Sequence, residues 1–126
     1  RYLTESMLGS PALILAMTRD HRRAIVQLAP RRMRSTFTIR EFARLSSAMS
    51  TEQLADSAVG ADAAERVRAM ATAVAGQRGL VDAPADPADD DVIDPYGRSW
   101  ATYQRSAAEL EPAVDAVVRA VRAALA

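Results

Sequence analysis

The stretch ALILAM, Ala12 to Met17, is an unbroken apolar run set directly after Gly9, Ser10 and Pro11. Its short length and the turn residues before it predict a strand buried on both faces. Such strands belong to parallel sheets covered by helices. Thr18 follows as an expected N-cap, with Asp20 in the first turn, where negative charge suits the helix dipole. Ala24, Ile25, Leu28 and Ala29 form the apolar stripe of that helix, and Pro30 ends it. STFTI, Ser35 to Ile39, alternates β-branched and aromatic residues and reads as a second strand. REFARLSSAM continues at once as a helix with Phe42 and Leu45 on one face. Strand, helix, strand, helix in this order predicts a parallel α/β domain.

Upstream of the first strand, Thr4 is positioned to cap a short turn over Glu5 to Leu8 that Gly9 ends. Downstream, Ser50 and Gln53 have the spacing of a capping box for a helix beginning near Thr51. A further helix is expected over Ala61 to Gln77, with Val67, Met70 and Val74 as a weak apolar face and Gly76 or Gly79 as its stop. VDAPADPADDD, Val81 to Asp91, is a proline-rich acidic loop, and Asp86 to Asp91 read as solvated. The last segment is a long helix on the spacing Trp100, Tyr103, Ala107, Leu110, Val114, Val117, Val121, Leu125. Trp100 and Tyr103 are expected in the core. Pro112 has no N–H for the carbonyl of Ala108, so a kink or break is expected there. Two strands are a poor way to cover ALILAM, because an exposed apolar edge would remain. At least one more strand is expected, from upstream of Arg1 or from another chain.

Length and composition narrow the function classes. The chain has 126 residues, one domain in size, with 49% apolar and 25% charged residues. Its basic residues are all arginine, and formal net charge is zero, so whole-molecule attraction to nucleic acid or a membrane surface is not expected. No apolar run nears the roughly 18 residues of a membrane span, and no signal peptide is visible, so a cytoplasmic location is expected. The absence of cysteine excludes disulfides, thiolate ligands and a cysteine nucleophile in this chain. A single histidine, His21, argues against a histidine metal site, and no metal or cofactor is expected. The chain opens with Arg1 inside a patterned segment, RYLTESMLGS, which reads as a cut within a longer frame.

DDDVIDPYGRSW, Asp89 to Trp100, poses a different question. Asp94 stands directly before a proline and an aromatic, which a solvated linker does not need. With RYLTESML, ALILAMTRDHRRAIVQLAP and STFTIREFARL, this stretch resembles the low-molecular-weight protein-tyrosine phosphatases, especially bacterial ones. The likeness covers roughly Arg1 to Leu45 and Asp91 to Val118; Ser46 to Asp90 is not diagnostic. The resemblance implies a four-stranded parallel sheet with helices on both faces. It also implies a cysteine in a C-x5-R loop that attacks phosphotyrosine, and an aspartic acid before a proline that protonates the departing phenolate and then activates water. Splitting one hard displacement into two steps is the advantage of such covalent catalysis.

By its place in IDPYG, Asp94 matches the family's general acid, and Tyr96 its aromatic at the pocket rim, where it would bind substrate. Pro95 would hold Asp94 extended. Asp89, Asp90 and Asp91 would favour its protonated form by repulsion. The chain departs from the family where the nucleophile loop, first helix and first two strands should lie. It therefore looks like the C-terminal part of such a phosphatase, a single partial domain, expected inactive alone. In the complete enzyme the substrate would be a phosphotyrosine protein.

Plainer readings stand beside these. Asp-Pro is a common turn former, so Asp94 can be a turn residue at a helix start. His21 reads as a surface histidine. The arginines at 22, 23, 31, 32 and 34 read as a solvated helix end, without the base-reading motif of a nucleic-acid binder. The rival for the whole chain is a non-catalytic remnant or interaction module, completed by a partner or by self-association through its open sheet edge. Arsenate reduction on the same fold needs several cysteines, and this segment has none.

Overall fold

A computed structural model describes residues 11–94 and 96–126. It is an α/β fold, mostly helical, around a small parallel sheet. Strand β1 (Ile14–Ala16) pairs in parallel with β2 (Thr36–Thr38) in the register Ile14–Thr36, Leu15–Phe37, Ala16–Thr38. Between them run α1 (Arg19–Leu28) and a 3-10 turn (Pro30–Ser35). After β2 come α2 (Ile39–Ser46), α3 (Thr51–Ser57), α4 (Ala63–Ala75), a second 3-10 turn (Pro87–Asp90) and α5 (Trp100–Leu125). The segment Glu5 to Leu8, expected as a capped turn, lies outside the described residues.

Helix starts follow the expected chemistry. Thr18 Oγ1 accepts the His21 N–H at 3.2 Å. The Ser50–Gln53 capping box forms in both directions, at 3.0 and 2.8 Å. A second, unexpected box joins Thr38 and Glu41 at the point where β2 turns into α2. Asp62 caps α4 by accepting the Glu65 N–H, and Ser99 caps α5 by accepting that of Thr102. Each cap satisfies a helix-end donor that would otherwise have no partner.

Alternation along the strands sends side chains to two layers. Ala16 and Ile14 face α1, meeting Ile25, Leu28 and Ala29. Leu13 and Leu15 face the other way, into a larger cluster built on Phe37, Phe42, Leu45, Leu54, Met70 and Val74. That cluster joins α3 and α4 to the sheet, so the segment 46–90 shares one core with the strands. Phe37 and Phe42 meet edge to face at 5.1 Å, the favoured geometry for an aromatic pair. Only Ala16 of β1 is fully buried; Ile14 and Leu15 are half-buried, and β2 is the sole partner of β1 among the described residues.

Two expectations for α5 need correction. Of the kink or break expected at Pro112, the break does not occur: Trp100 to Leu125 is one helix with the proline inside. Pro112 is on the exposed side, and the packing of Ala113 and its neighbours offsets the lost backbone bond. Trp100 and Tyr103 are not core either, being 73% and 45% exposed. The buried positions are Ser106, Ala113, Ala120, Ala123 and Ala124. Leu110, Val117 and Val121 of the expected stripe pack against the core beside these small residues, whereas Trp100, Tyr103, Val114 and Leu125 lie on the exposed flank.

Glu41 ties the layers together. Its carboxylate takes Arg78 Nε at 3.1 Å and Arg22 Nε at 3.5 Å while also accepting the Thr38 N–H. Arg78 in turn donates to the carbonyls of Thr36 and Met33 and lies 4.6 Å from the centre of the Phe37 ring. Burial, and then the nearby Arg78 cation, lower the pKa of Arg22; Glu41 opposes them. The Glu41 side chain is 14% exposed. Its removal leaves two half-buried cations without their counter-ion, so Glu41→Ala is expected to cost about 2–4 kcal/mol in urea denaturation. Glu41→Gln, which keeps the acceptor for Thr38, should cost less.

Candidate active site

Four elements meet at the acidic loop. The Val92 N–H donates to the carbonyl of Met17 at 2.8 Å, just past the last residue of β1. The Val92 side chain is buried against Ile39 and Ala113. From α1, the Arg19 N–H donates to Asp91 Oδ1 at 2.8 Å, and its guanidinium reaches both carboxylate oxygens at 3.2–3.3 Å. From α2, Arg40 Nη1 donates to the Asp91 carbonyl at 3.0 Å. From α5, Glu109 Oε1 accepts the Ile93 N–H at 3.3 Å, while its Oε2 lies 3.7 Å from Arg40 and 3.5 Å from Arg105. One residue earlier in the loop, Arg44 grips Asp90 at 3.0 Å.

The loop therefore sits at the carboxyl end of the parallel sheet, beside the N-termini of α1 and α2. Open α/β sheets bind ligands there, where loops leave the strands and helix N-termini converge. A cavity of about 430 Å³ opens in this region, and Thr18, Arg40, Asp94, Arg98, Arg105 and Glu109 are among its lining.

Asp94 is exposed at this cavity, and its Oδ1 accepts the Tyr96 N–H at 2.9 Å. That is an Asx turn, the local hydrogen bond that aspartate makes readily before a bend. It brings Asp94 and Tyr96 together, and Tyr96 projects with 86% of its surface exposed. Pro95, expected to hold Asp94 extended, lies outside the described residues. Gly97 completes the turn at φ +70°, a conformation that glycine adopts without the Cβ penalty. Ser99 then starts α5, and Trp100 and Tyr103 stack at 6.3 Å on its outer side.

Two of the carboxylates expected to be solvated are not. Asp90 and Asp91 are half-buried ion-pair partners of Arg44 and Arg19. Asp86 and Asp89 are exposed, and Asp86 caps the 3-10 turn through the Ala88 N–H. Burial would push the Asp91 carboxyl upward, but the hydrogen bonds and charge of Arg19 outweigh it, with Arg40 adding to them. The net effect holds Asp91 below the usual carboxylate range. Arg19 is raised in return, first by its hydrogen bond to Asp91.

His21 is exposed on α1. The arginine cluster is divided: Arg22 turns inward to Thr36 and Glu41, whereas Arg23 pairs with Asp20 on the surface. Among the described residues no three of His, Cys, Asp or Glu stand close enough to hold a metal ion. No helix among them is long and apolar enough to cross a membrane.

Arg19, Arg40 and Glu109 escape the sequence reading. A signal for two of them exists. Arg19 and Arg40 occupy the first turns of α1 and α2, where a cation opposes the helix dipole unless an anion answers it. Each finds that anion, or its loop carbonyl, around Asp91. The chain matches no protein-family model, no curated protein and no solved structure.

The Asp91 clamp makes a pH prediction. A depressed folded pKa stabilises the protein above the unfolded carboxylate range, and this contribution fades as pH falls through the folded value. Urea midpoints are therefore expected to fall from about pH 6 to about pH 3. Asp91→Asn should lower the midpoint at pH 6 and flatten that fall; an unchanged pH profile would show the clamp to be energetically silent.

Proposed function

We propose that this chain is the C-terminal part of a low-molecular-weight protein-tyrosine phosphatase domain, truncated at the N-terminus. In the complete enzyme, an upstream C-x5-R loop supplies the cysteine that takes the phosphoryl group from phosphotyrosine. Asp94 protonates the leaving phenolate, then takes a proton from the water that cleaves the phosphocysteine. Tyr96 flanks the phosphoaryl ring. The activity is phosphate monoester hydrolysis of phosphotyrosine proteins in the cytoplasm, and this chain, having no cysteine, does not perform it alone.

The reading is supported by the hydrogen bond from Val92 to Met17, at 2.8 Å. Two residues later comes Asp94, at the carboxyl end of the sheet, where a ligand in an α/β domain is expected. An acid on an exposed turn there, beside an unshielded aromatic, has the access that proton delivery to a bound ester requires.

The test joins this chain to a segment carrying C-x5-R, either in the natural longer polypeptide or by co-expression. The isolated chain is expected to leave para-nitrophenyl phosphate intact, and the completed protein to hydrolyse it. Asp94→Ala should then lower turnover by about 100- to 10,000-fold on a phenolate leaving group. Unaltered turnover would remove Asp94 from the mechanism.

A specific observation favours one other reading. The flank of α5 carrying Trp100, Tyr103, Val114, Val118 and Leu125 is exposed, and β1 has one open side among the described residues. Apolar surface arranged along a helix marks an interaction site. The alternative is a non-catalytic module completed by a partner chain or a second copy through that edge. It predicts a concentration-dependent dimer in sedimentation equilibrium, abolished by Val114→Glu with Val118→Glu where the flank of α5 forms it and unaffected by them where the edge of β1 does. A monomer at all concentrations would exclude self-association.

A further inference from the structure

Resting on the reading of Asp94 as the general acid, we infer that Glu109 is the residue that positions it, with Arg40 as its counterpart on α2. Asp91, Val92 and Ile93 each have a backbone group fixed from outside the loop. The Asp91 carbonyl accepts from Arg40, the Val92 N–H donates to Met17, and the Ile93 N–H donates to Glu109. Glu109 is the one of these anchors that touches the residue next to Asp94. Its side chain is only 15% exposed, so the bond to Ile93 is shielded from competing water.

A glutamate in mid-helix has no capping duty to explain its burial. Its place is explained by the groups that converge on it: the Ile93 N–H on one oxygen, Arg40 and Arg105 near the other. Arg40 completes a closed circuit, because it also holds the Asp91 carbonyl at 3.0 Å. The loop is thus pinned against α5 and α2 together. After Ile93 the chain leaves this frame, and among the described residues the Asp94 carboxylate is held by its local turn with Tyr96. The orientation in which Asp94 leaves the frame is set by the peptide plane that Glu109 grips. Reactions that depend on a positioned proton donor lose rate steeply when that donor is misplaced by an ångström or so.

The two claims, anchoring and acid placement, have separate readouts. In the 126-residue chain, amide hydrogen exchange of Ile93 is compared with that of Leu45 in the core. Glu109→Ala is expected to speed Ile93 exchange at least about tenfold and to leave Leu45 unchanged. Glu109→Gln, which keeps an acceptor, should retain most of the protection. No change at Ile93 in Glu109→Ala would overturn the anchor. In the protein completed with a C-x5-R segment, kcat/KM, which reports the step that expels the leaving group and not the later hydrolysis of the phosphocysteine, is compared between phenyl phosphate and 2,4-dinitrophenyl phosphate. The first leaving group needs a proton and the second does not. Glu109→Ala should lower kcat/KM of the first by about tenfold or more and of the second by about threefold or less. An equal loss on both would mean that Glu109 supports only the fold, and the positioning role would fall. Hydrolysis of neither ester by the unsubstituted completed protein would overturn the phosphatase reading and with it the acid placement, while the exchange result would still decide the anchor.

Discussion

Glu41 is the constraint on which the architecture depends. A parallel strand–helix–strand unit this small has little apolar surface to hold its layers in register. One carboxylate near the end of β2 caps α2, pairs with Arg22 from α1 and pairs with Arg78 beyond α4. Arg78 then covers the Phe37 ring and ties off the carbonyls of Thr36 and Met33. A charge shared among three partners keeps its hydrogen bonds filled even where water is partly excluded. The same residues therefore set the sheet's register against both helical layers, and the loops at its carboxyl end inherit that geometry.

The acidic loop uses the same device in a second place. Arginines from α1 and α2 fasten Asp91 and a glutamate from α5 fastens Ile93, while Val92 between them bonds to Met17 and drives an apolar plug between α2 and α5. Only then does the chain reach Asp94 and Tyr96, which are exposed. Order in the approach and openness at the tip are what a proton-delivering loop needs: the carboxyl stays reachable, and its approach is held. The chemistry assigned to Asp94 is a proposal, whereas the frame that leads to it is built from contacts within the described residues.

Much of the fold is legible in the sequence, for clear reasons. ALILAM and STFTI announce strands because short β-rich runs follow turn residues, and Thr18 and Ser50 announce helix starts because only a side-chain acceptor can fill the gap there. The packed face of α5 was legible only in part. Hydrophobic periodicity finds Leu110, Val117 and Val121, which pack against the core, but it is also weighted by Trp100, Tyr103, Val114 and Leu125, which do not, and it passes over the alanines and Ser106 that are buried deepest, whose value is closeness, not bulk. The partners of Asp90 and Asp91 were hidden for another reason. Arg44 lies 46 residues from Asp90 and Arg19 lies 72 from Asp91, and no local pattern encodes pairs at such separations. A run of acids reads as solvated until the arginines that face it are known.

The alanine seam of α5 has a structural meaning. An alanine has no rotamer to change, so Ala120, Ala123 and Ala124 meet the larger side chains of the core without loss of side-chain freedom on their own part. The 26-residue helix is about 39 Å long and continuous through Pro112. The residues packed in the main core at Ala120 to Ala124 and the Glu109 carboxylate that holds Ile93 are therefore carried by one and the same helix. The far end of the molecule and the loop that carries Asp94 are joined through a single element of secondary structure.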